Sequence, residues 1–312
     1  MGLAIKGKKV IGLALNGKNI LGAAKNGKVI WRFIIAHIPW KFTADNEVPS
    51  VAVDSSGNVY AGTSSNSVYK LDANGTQVWK FTADNGVHSV AVDSSGNVYA
   101  GTDSNSVYKL DASGTQVWKF TADGEMNSVA VDSSDNVYAG TGSNSVYKLD
   151  ASGNQVWKFT ADGAVFSVAV DSRGNVYAGT WSSSVYKLDA SGKQVWQLTA
   201  DGVVNSVAVD SRGNVYAGTY PSVYKLDASG TQVWKFTADN GVHSVAVDSR
   251  GNVYAGTDDS VYKLDASGTQ AWKFTANDEM NSVAVDSSGN VYAGTSSKSV
   301  YKLTPDGSNT TT

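Results

Sequence analysis

Residues 89–120 read SVAVDSSGNVYAGTDSNSVYKLDASGTQVWKF, and this stretch decides the fold. It contains four short segments rich in valine, tyrosine and tryptophan: Ser89–Asp93, Asn97–Gly101, Ser106–Leu110 and Gln116–Phe120. Such residues favour β-strands, and the glycine-containing segments between them are typical of tight turns. The segments are nearly apolar on both faces, as expected for a sheet packed between two other sheets.

Two turns within this stretch begin with an aspartate and contain a glycine. Asp93 and Asp111 can accept backbone N–H bonds from residues further along each turn, and the glycines can adopt a positive φ. Asp93, Ser95 and Asn97 also have the one-three-five oxygen spacing of a calcium loop, but no acidic ligand closes that loop. We therefore interpret both aspartates as turn residues and predict no metal site at either.

The stretch recurs along the chain with a period of 39 residues, which shortens to 38 in the last two intervals. Its copies are marked by Trp40, Trp79, Trp118, Trp157, Trp196, Trp234 and Trp272. This period is close to the repeat length of propeller blades, and no segment shows helical periodicity. The sequence predicts an all-β fold, a seven-bladed β-propeller with four-stranded blades.

The two ends of the repeat region predict how the ring closes. The last repeat supplies three strands, of which Ser299–Leu303 is the third, and its fourth strand is missing. A spare fourth strand begins at Trp40, ahead of the first inner strand, Ser50–Asp54. Pairing the two gives a three-plus-one closure and removes an exposed sheet edge. The seven inner strands, ending with Ser282–Asp286, set the number of blades.

Two blade segments resemble known propeller repeats. Asn97–Thr102 and Val107–Trp118 resemble the PQQ-like quinoprotein blade repeat with its tryptophan-docking turn, although one residue fewer separates the aspartate from the tryptophan. Ser89–Tyr99 is similar to the NHL repeat. These resemblances cover residues 40–303 and imply that each tryptophan docks on a glycine or alanine of the adjacent blade.

We expect three regions: a basic β-meander extension over residues 1–38, the propeller over 39–304 and a disordered tail over 305–312. The extension has a period of ten, and its Asn-Gly pairs at 16–17 and 26–27 are hairpin signals. Residues 1–40 carry seven basic residues and no acid, which leaves a charge of −10 on the rest of a chain whose net charge is −3. An acidic propeller argues against nucleic-acid binding.

The extension resembles short modules of bacteriophage tail and baseplate proteins, which implies an assembly partner for residues 1–38. It could instead form a cap over one face of the propeller. A degenerate eighth blade is disfavoured, because only nine positions separate Trp31 from Trp40.

The composition limits the classes of function. The chain has no cysteine, which excludes disulfides, thiolate metal sites and cysteine nucleophiles. No apolar segment is long enough to span a membrane, and lysines and glycines interrupt the N-terminus before a signal-peptide core. We expect a soluble chain without a signal peptide, either cytoplasmic or virion-associated.

Differences between the copies concentrate in two loops per blade. The first precedes the inner strand, and the second joins the second and third strands. Antiparallel strands alternate in direction, so both loops should emerge on the same face of the ring, which we call the variable-loop face. A unique binding site should lie there, because residues present in every copy serve what every blade needs.

The candidate ligand-binding residues lie in these loops. Phe166, Trp181 and Tyr220 are predicted on adjacent blades 4 and 5, where exposed aromatic side chains suit stacking on a sugar ring or holding a peptide. They could instead cover the mouth of the central channel or dock the extension.

Polar candidates occupy the same loops. His88 and His243 lie at equivalent positions of blades 2 and 6, with Asp103, Asp258 and Asp259 in the second loops of those blades. Zinc needs three or four ligands, and blades 2 and 6 are not neighbours, so no ion shared between them is expected. Solvated loop histidines are the simpler interpretation.

These observations predict a non-enzymatic binding or structural scaffold whose variable-loop face binds a glycan or a surface protein, with no cofactor. Phosphate-binding GxxxxGK[ST] loops and G-x-S-x-G elbows are absent, as is the adjacent cysteine pair of quinoprotein dehydrogenases. One alternative is a propeller enzyme, such as a lyase or hydrolase, with a His/acid cluster at the channel mouth. The other is a recently amplified or designed repeat protein with no evolved ligand.

Overall fold

The computed structural model describes residues 4–5, 8–10, 23–25, 28–31, 40–276 and 278–304. Strands are the only regular elements in these ranges, and seven four-stranded antiparallel sheets surround a central channel. This arrangement confirms the predicted seven-bladed β-propeller. Within the described ranges, no helix has the length and apolar character needed to cross a membrane.

A separate four-stranded sheet lies near the N-terminus, with antiparallel neighbours in chain order. Its strands are β1 (Ala4–Ile5), β2 (Lys8–Val10), β3 (Ala23–Lys25) and β4 (Lys28–Trp31). The predicted hairpin turns at 16–17 and 26–27 and the predicted tail at 305–312 lie outside the described residues. The proposed division into three regions therefore stays a prediction.

The blades follow one another along the chain, and each runs from an inner strand at the channel to an outer strand. Blade 1 consists of β6 to β9 (Ser50–Val53, Val59–Gly62, Ser67–Leu71, Gln77–Thr82). Blade 2 consists of β10 to β13 (Val87–Val92, Val98–Thr102, Ser106–Leu110, Gln116–Thr121). Blade 3 consists of β14 to β17 (Met126–Val131, Val137–Thr141, Ser145–Leu149, Gln155–Thr160). Blade 4 consists of β18 to β21 (Val165–Val170, Val176–Thr180, Ser184–Leu188, Gln194–Thr199).

The remaining blades have the same plan. Blade 5 consists of β22 to β25 (Val204–Val209, Val215–Thr219, Ser222–Leu226, Gln232–Thr237). Blade 6 consists of β26 to β29 (Val242–Val247, Val253–Thr257, Ser260–Leu264, Gln270–Thr275). Blade 7 combines β30 to β32 (Met280–Val285, Val291–Thr295, Ser299–Leu303) with β5 (Lys41–Thr43) from the start of the repeat region.

The pairing of β32 with β5 confirms the predicted three-plus-one closure. Val300 lies opposite Phe42, and Tyr301 lies opposite Lys41. The Phe42 ring also packs edge-on against Tyr69 of blade 1, with ring centroids 5.3 Å apart. The closing strand thus occupies the edge that blade 7 would otherwise leave open, and it joins that blade to its neighbour.

Apolar side chains fill the spaces between blades. Tyr99 of blade 2 is fully buried in a cluster with Met126 and Val129 of blade 3, and each of the other interfaces has an equivalent cluster. A glycine in the second strand permits this close packing, because a Cβ on Gly101 would lie 2.8 Å from the Cβ of Met126. The Val-Tyr-Ala-Gly segment is therefore a packing requirement of every blade.

A ring of serine hydroxyls joins the inner strands. Ser89 Oγ accepts the backbone N–H of Val129 in the next blade at 2.9 Å, and the same bond of 2.9 to 3.0 Å occurs at all seven interfaces. An inner strand has no neighbour on its channel side, so the serine supplies an acceptor that the sheet cannot.

The repeated aspartates hold turns, as predicted. Asp93 Oδ1 accepts the N–H groups of Ser95 and Asn97, while Oδ2 accepts bonds from the Asn97 amide and the Tyr99 hydroxyl. Every blade repeats this arrangement. Burial, the charge of Asp93 and this hydrogen bond raise the pKa of Tyr99 above its usual range. Because donors already surround the carboxylate, these turns have a structural role.

The tryptophans dock on the adjacent blade, as the resemblance implied. The Trp118 indole N–H donates to the carbonyl of Ala151 at 3.1 Å, and its ring lies against Gly153. The described residues contain six such contacts, beginning with that of Trp40 on Ala73. For Trp272, the equivalent positions 305 and 307 lie outside the described residues.

Candidate functional site

Both variable loops of a blade emerge on the same face, and in five blades a backbone hydrogen bond joins them. The N–H of Asp103 donates to the carbonyl of Gly86 at 3.0 Å, and the N–H of Trp181 donates to that of Ala164 at 2.9 Å. Blades 1, 3 and 7 have the same bond. The structure therefore confirms the variable-loop face predicted from strand direction.

A depression of about 440 Å³ lies at the centre of this face, at the mouth of the channel. First-loop residues from all seven blades line it, among them His88, Phe166 and His243. The channel itself, about 410 Å³, is lined by the Val-Ala-Val segment of every inner strand. The side chains that line the channel are therefore the same in every blade, whereas those at its mouth differ.

The three aromatic candidates do not form a single patch. Phe166 and Trp181 make an edge-to-face pair, with ring centroids 5.7 Å apart and planes at 85°. Phe166 lines the channel mouth, whereas Trp181 is 62 % exposed. Tyr220, 66 % exposed, lies instead over Gly241 of blade 6, where a Cβ would be 2.6 Å from its Cδ2. Of the three aromatic candidates, only Phe166 and Trp181, both in blade 4, therefore contact each other.

The polar candidates form two His–Asp pairs. His88 Nε2 lies 2.9 Å from Asp103 Oδ1 in blade 2, and His243 Nε2 lies 2.6 Å from Asp258 Oδ1 in blade 6. Asp259 is not part of the second pair, because its carboxylate accepts the Ser260 hydroxyl at 2.7 Å. The two pairs lie on non-adjacent blades and do not converge on a shared ion.

A third ligand-type residue joins the blade 6 pair. Glu279 of blade 7 places Oε1 3.3 Å from His243 Nε2. The ligand atoms of His243, Asp258 and Glu279 all lie within 4.8 Å of one another, so these residues could hold a metal ion. Among the described residues, only this group brings three such ligand atoms together.

Comparisons with known proteins agree with the propeller fold. A family model described as outer membrane protein assembly factor BamB, built on PQQ-like repeats, matches residues 18–138, 103–202 and 181–311. The chain belongs to this PQQ-like repeat family. A search of curated proteins found no match.

A solved structure shares the fold of this PQQ-like propeller. The crystal structure of the WD40 β-propeller domain of Doa1 superposes with a TM-score of 0.79 at 17 % sequence identity. The match covers 88 % of this chain and 98 % of that one. Neither this structure nor the family description refers to a phage, so the predicted resemblance to tail and baseplate modules has no support.

A ring of ion pairs on the same face of the PQQ-like propeller is structural. Asp84 pairs with Lys119 of the next outer strand at 2.6 Å. Partial burial alone would raise the pKa of Asp84, but hydrogen bonds from Lys119, Ser104 and Tyr108 outweigh it and lower the pKa to about 2. Equivalent pairs join Asp45 to Lys80, Asp123 to Lys158, Asp201 to Lys235 and Asp239 to Lys273. Their repetition indicates that they stabilise the rim of the propeller, where the outer strands lie.

Sequence reasoning missed Glu279. The sequence does contain a signal for it, because the same three loop residue types occur in two pairs of consecutive blades. They are His88, Asp103 and Glu125 in blades 2 and 3, and His243, Asp258 and Glu279 in blades 6 and 7. The loop residues of two consecutive blades, taken together, therefore indicate both sets.

Proposed function

We propose that this PQQ-like propeller is a non-enzymatic binding scaffold whose variable-loop face recognises a glycan or a surface protein. The observation that carries the proposal is the Phe166–Trp181 pair, with one ring at the channel mouth and the other largely exposed. Two rings held edge-to-face offer a rigid apolar surface at little cost in side-chain entropy. Such a surface suits the apolar face of a sugar ring or a side chain of a peptide.

Polar groups beside the pair would supply specificity. Asn127 and Asn205 each donate an amide N–H to a carbonyl of the next blade, at 3.1 and 3.0 Å, and both line the depression. These fixed amides, together with carboxylates of the same mouth, can exchange hydrogen bonds with hydroxyl groups or with a peptide backbone. An apolar anchor beside a few positioned polar groups is the usual composition of a binding pocket.

The test is a glycan array and a display library of surface-protein segments, each probed with the wild type and with variants. We expect the double variant F166A/W181A to lose at least about tenfold in affinity for a ligand that the wild type binds, the equivalent of about 1.4 kcal/mol. Val156→Ala, at an exposed outer-strand position, is the matched control and should bind normally. Tyr220→Ala is measured separately, because Tyr220 does not contact the pair.

The outcomes separate the alternatives. Equal binding by the wild type and the double variant would remove the aromatic pair from the site. If neither protein binds any ligand, the result would favour the alternative of an amplified or designed repeat with no evolved ligand. The family description, which names an assembly factor, supports the scaffold role.

A channel-mouth enzyme is the second candidate, and one observation favours it. The enzyme alternative requires a convergent cluster of histidine and acid, and His243, Asp258 and Glu279 form one. A panel of polysaccharide and ester substrates, tested with the wild type and His243→Ala, distinguishes the two functions. The scaffold proposal expects no turnover by either protein, whereas turnover lost in the variant would establish the enzyme.

A further inference from the structure

We propose that His243, Asp258 and Glu279 bind a divalent transition-metal ion, for which Zn²⁺ is the probe, between blades 6 and 7 on the variable-loop face. The proposal is independent of the ligand proposed for the Phe166–Trp181 pair. It rests on the positions of the three ligand atoms, on their chemistry and on a second set of the same residues elsewhere in the chain.

The two ligand separations that involve His243 are close to those that a bound ion requires, and all three ligand atoms lie within 4.8 Å of one another. At ligand distances of about 2.0–2.2 Å, neighbouring ligands of a tetrahedral ion lie about 3.3 Å apart. His243 Nε2 is 3.3 Å from Glu279 Oε1, which already matches, and 2.6 Å from Asp258 Oδ1. Asp258 would therefore have to withdraw by less than about 1 Å, a shift that a side chain with 48 % exposure can make.

The arrangement of these three side chains suits a bound metal ion better than a proton on His243. Both carboxylates face the same nitrogen, and one N–H group cannot donate a linear hydrogen bond to two acceptors. A protonated histidine would neutralise only one of the two carboxylates, whereas a divalent cation neutralises both. Imidazole nitrogen and carboxylate oxygen are both zinc ligands, and the exposed position leaves room for a water or ligand as the fourth group.

Ser296 positions the glutamate. Its hydroxyl donates to Glu279 Oε2 at 3.0 Å, which leaves Oε1 directed at His243, and its backbone N–H donates to the Glu279 carbonyl at 3.2 Å. Outer bonds of this kind orient metal-binding carboxylates and affect metal affinity. Ser296 is therefore a positioning residue.

The equivalent residues of blades 2 and 3 provide an internal comparison. His88 and Asp103 pair at 2.9 Å, but Gly142 occupies the position of Ser296. Glu125 lies against that glycine, where a Cβ would be 3.0 Å from its Oε1, and its carboxylate does not join the His88 pair. The same three ligand types converge only where the serine hydroxyl holds the glutamate.

The experiment is calorimetric titration of ZnCl₂ into the full, tag-free chain after removal of metal with a chelator. We expect one bound equivalent in the wild type, and at least a tenfold loss of affinity in His243→Ala and in the isosteric Glu279→Gln. Ser296→Ala should weaken binding by about 10- to 100-fold, the usual effect of an outer bond. His88→Ala should retain the full equivalent, and circular dichroism checks that each variant is folded.

Gly142→Ser tests the same idea in the opposite direction, because it supplies the missing hydroxyl to the blade 2 and 3 set. We expect a second bound equivalent in this variant. The proposal is overturned if the wild type binds no zinc, or if His243→Ala and Glu279→Gln bind it as tightly as the wild type. Loss of the equivalent in His88→Ala would likewise assign the ion to another site.

Discussion

The hydroxyl oxygen of Ser282, in the inner strand of blade 7, accepts the backbone N–H of Val51, in the inner strand of blade 1, at 3.0 Å across 231 residues of sequence. The six other interfaces have the same bond between consecutive blades. This seventh bond, together with the strand pairing of Val300 with Phe42, joins the two ends of the repeat region. Ring closure therefore uses the same contacts as every other interface.

Ser282→Ala should destabilise the propeller. The substitution leaves the buried N–H of Val51 without its acceptor, and an unsatisfied buried donor costs about 1–3 kcal/mol. Chemical denaturation monitored by tryptophan fluorescence measures the free energy of unfolding. Ser288→Ala, at an exposed turn position of the same blade, is the control and should change it little. Equal stability of the two variants would mean that the serine ring contributes nothing.

Gly153→Ala should disrupt tryptophan docking. Gly153 has a φ of +86°, and a Cβ there would lie 2.9 Å from Cδ2 of Trp118. A non-glycine residue in this conformation costs about 1–3 kcal/mol, to which displacement of the indole ring adds. We expect a lower thermal midpoint and altered tryptophan fluorescence. Ser152→Ala, one residue earlier in the same turn, should show neither change.

Stability should fall in acid as the rim aspartates are protonated. The pKa of Asp84 is about 2 in the folded chain, below the value of about 4 for an unfolded aspartate. A carboxyl with a depressed pKa stabilises the fold above the unfolded value, and this contribution is lost as the pH falls from about 4 towards 2. Thermal midpoints of the wild type should fall in this window, and those of Asp84→Asn should fall less.

Lys119→Gln checks the cause of that shift. In the equivalent position of blade 4, Gln197 donates an uncharged bond to Asp162 at 3.1 Å, so the substitution copies an arrangement already present in the chain. Removing the charge while keeping a donor should raise the pKa of Asp84 from about 2 towards its ordinary value. Carboxyl ¹³C NMR titration measures this directly. An unchanged titration would exclude Lys119 as a cause.

Refolding should produce oligomers in proportion to protein concentration. All seven inner strands carry the sequence Ser-Val-Ala-Val-Asp, and the closing strand β5 must find β32 from the far end of the propeller. The β5 strand of a second chain offers β32 the same partner, which permits swapped or open assemblies. Size-exclusion chromatography with light scattering, after dilution from denaturant at several concentrations, measures the fraction. A monomer in full yield at every concentration would contradict the expectation.

Much of the fold could be predicted because its signals are local or can be counted along the chain. Asp93 and the turn glycines specify turns by their own backbone chemistry, and the tryptophan period gives the blade number. The missing fourth strand after Leu303 and the spare strand at Lys41–Thr43 predict the closure without any knowledge of side-chain contacts. The site was less predictable, because Phe166 pairs with Trp181 while Tyr220 turns towards blade 6.

The sequence by itself determined the strands, the turns, the seven blades, the manner of closure and the face on which the copies differ. Each of these follows from residue type, repeat period or strand direction, all of which can be obtained from the order of residues along the chain. Only the tertiary structure decided which loop side chains meet. His243, Asp258 and Glu279 converge, while His88, Asp103 and Glu125 do not, although their residue types are identical. The Ser296 hydroxyl donates to the Glu279 carboxylate, whereas Gly142 offers Glu125 no such donor, and contacts of this kind depend on how the loops are placed in three dimensions rather than on residue type.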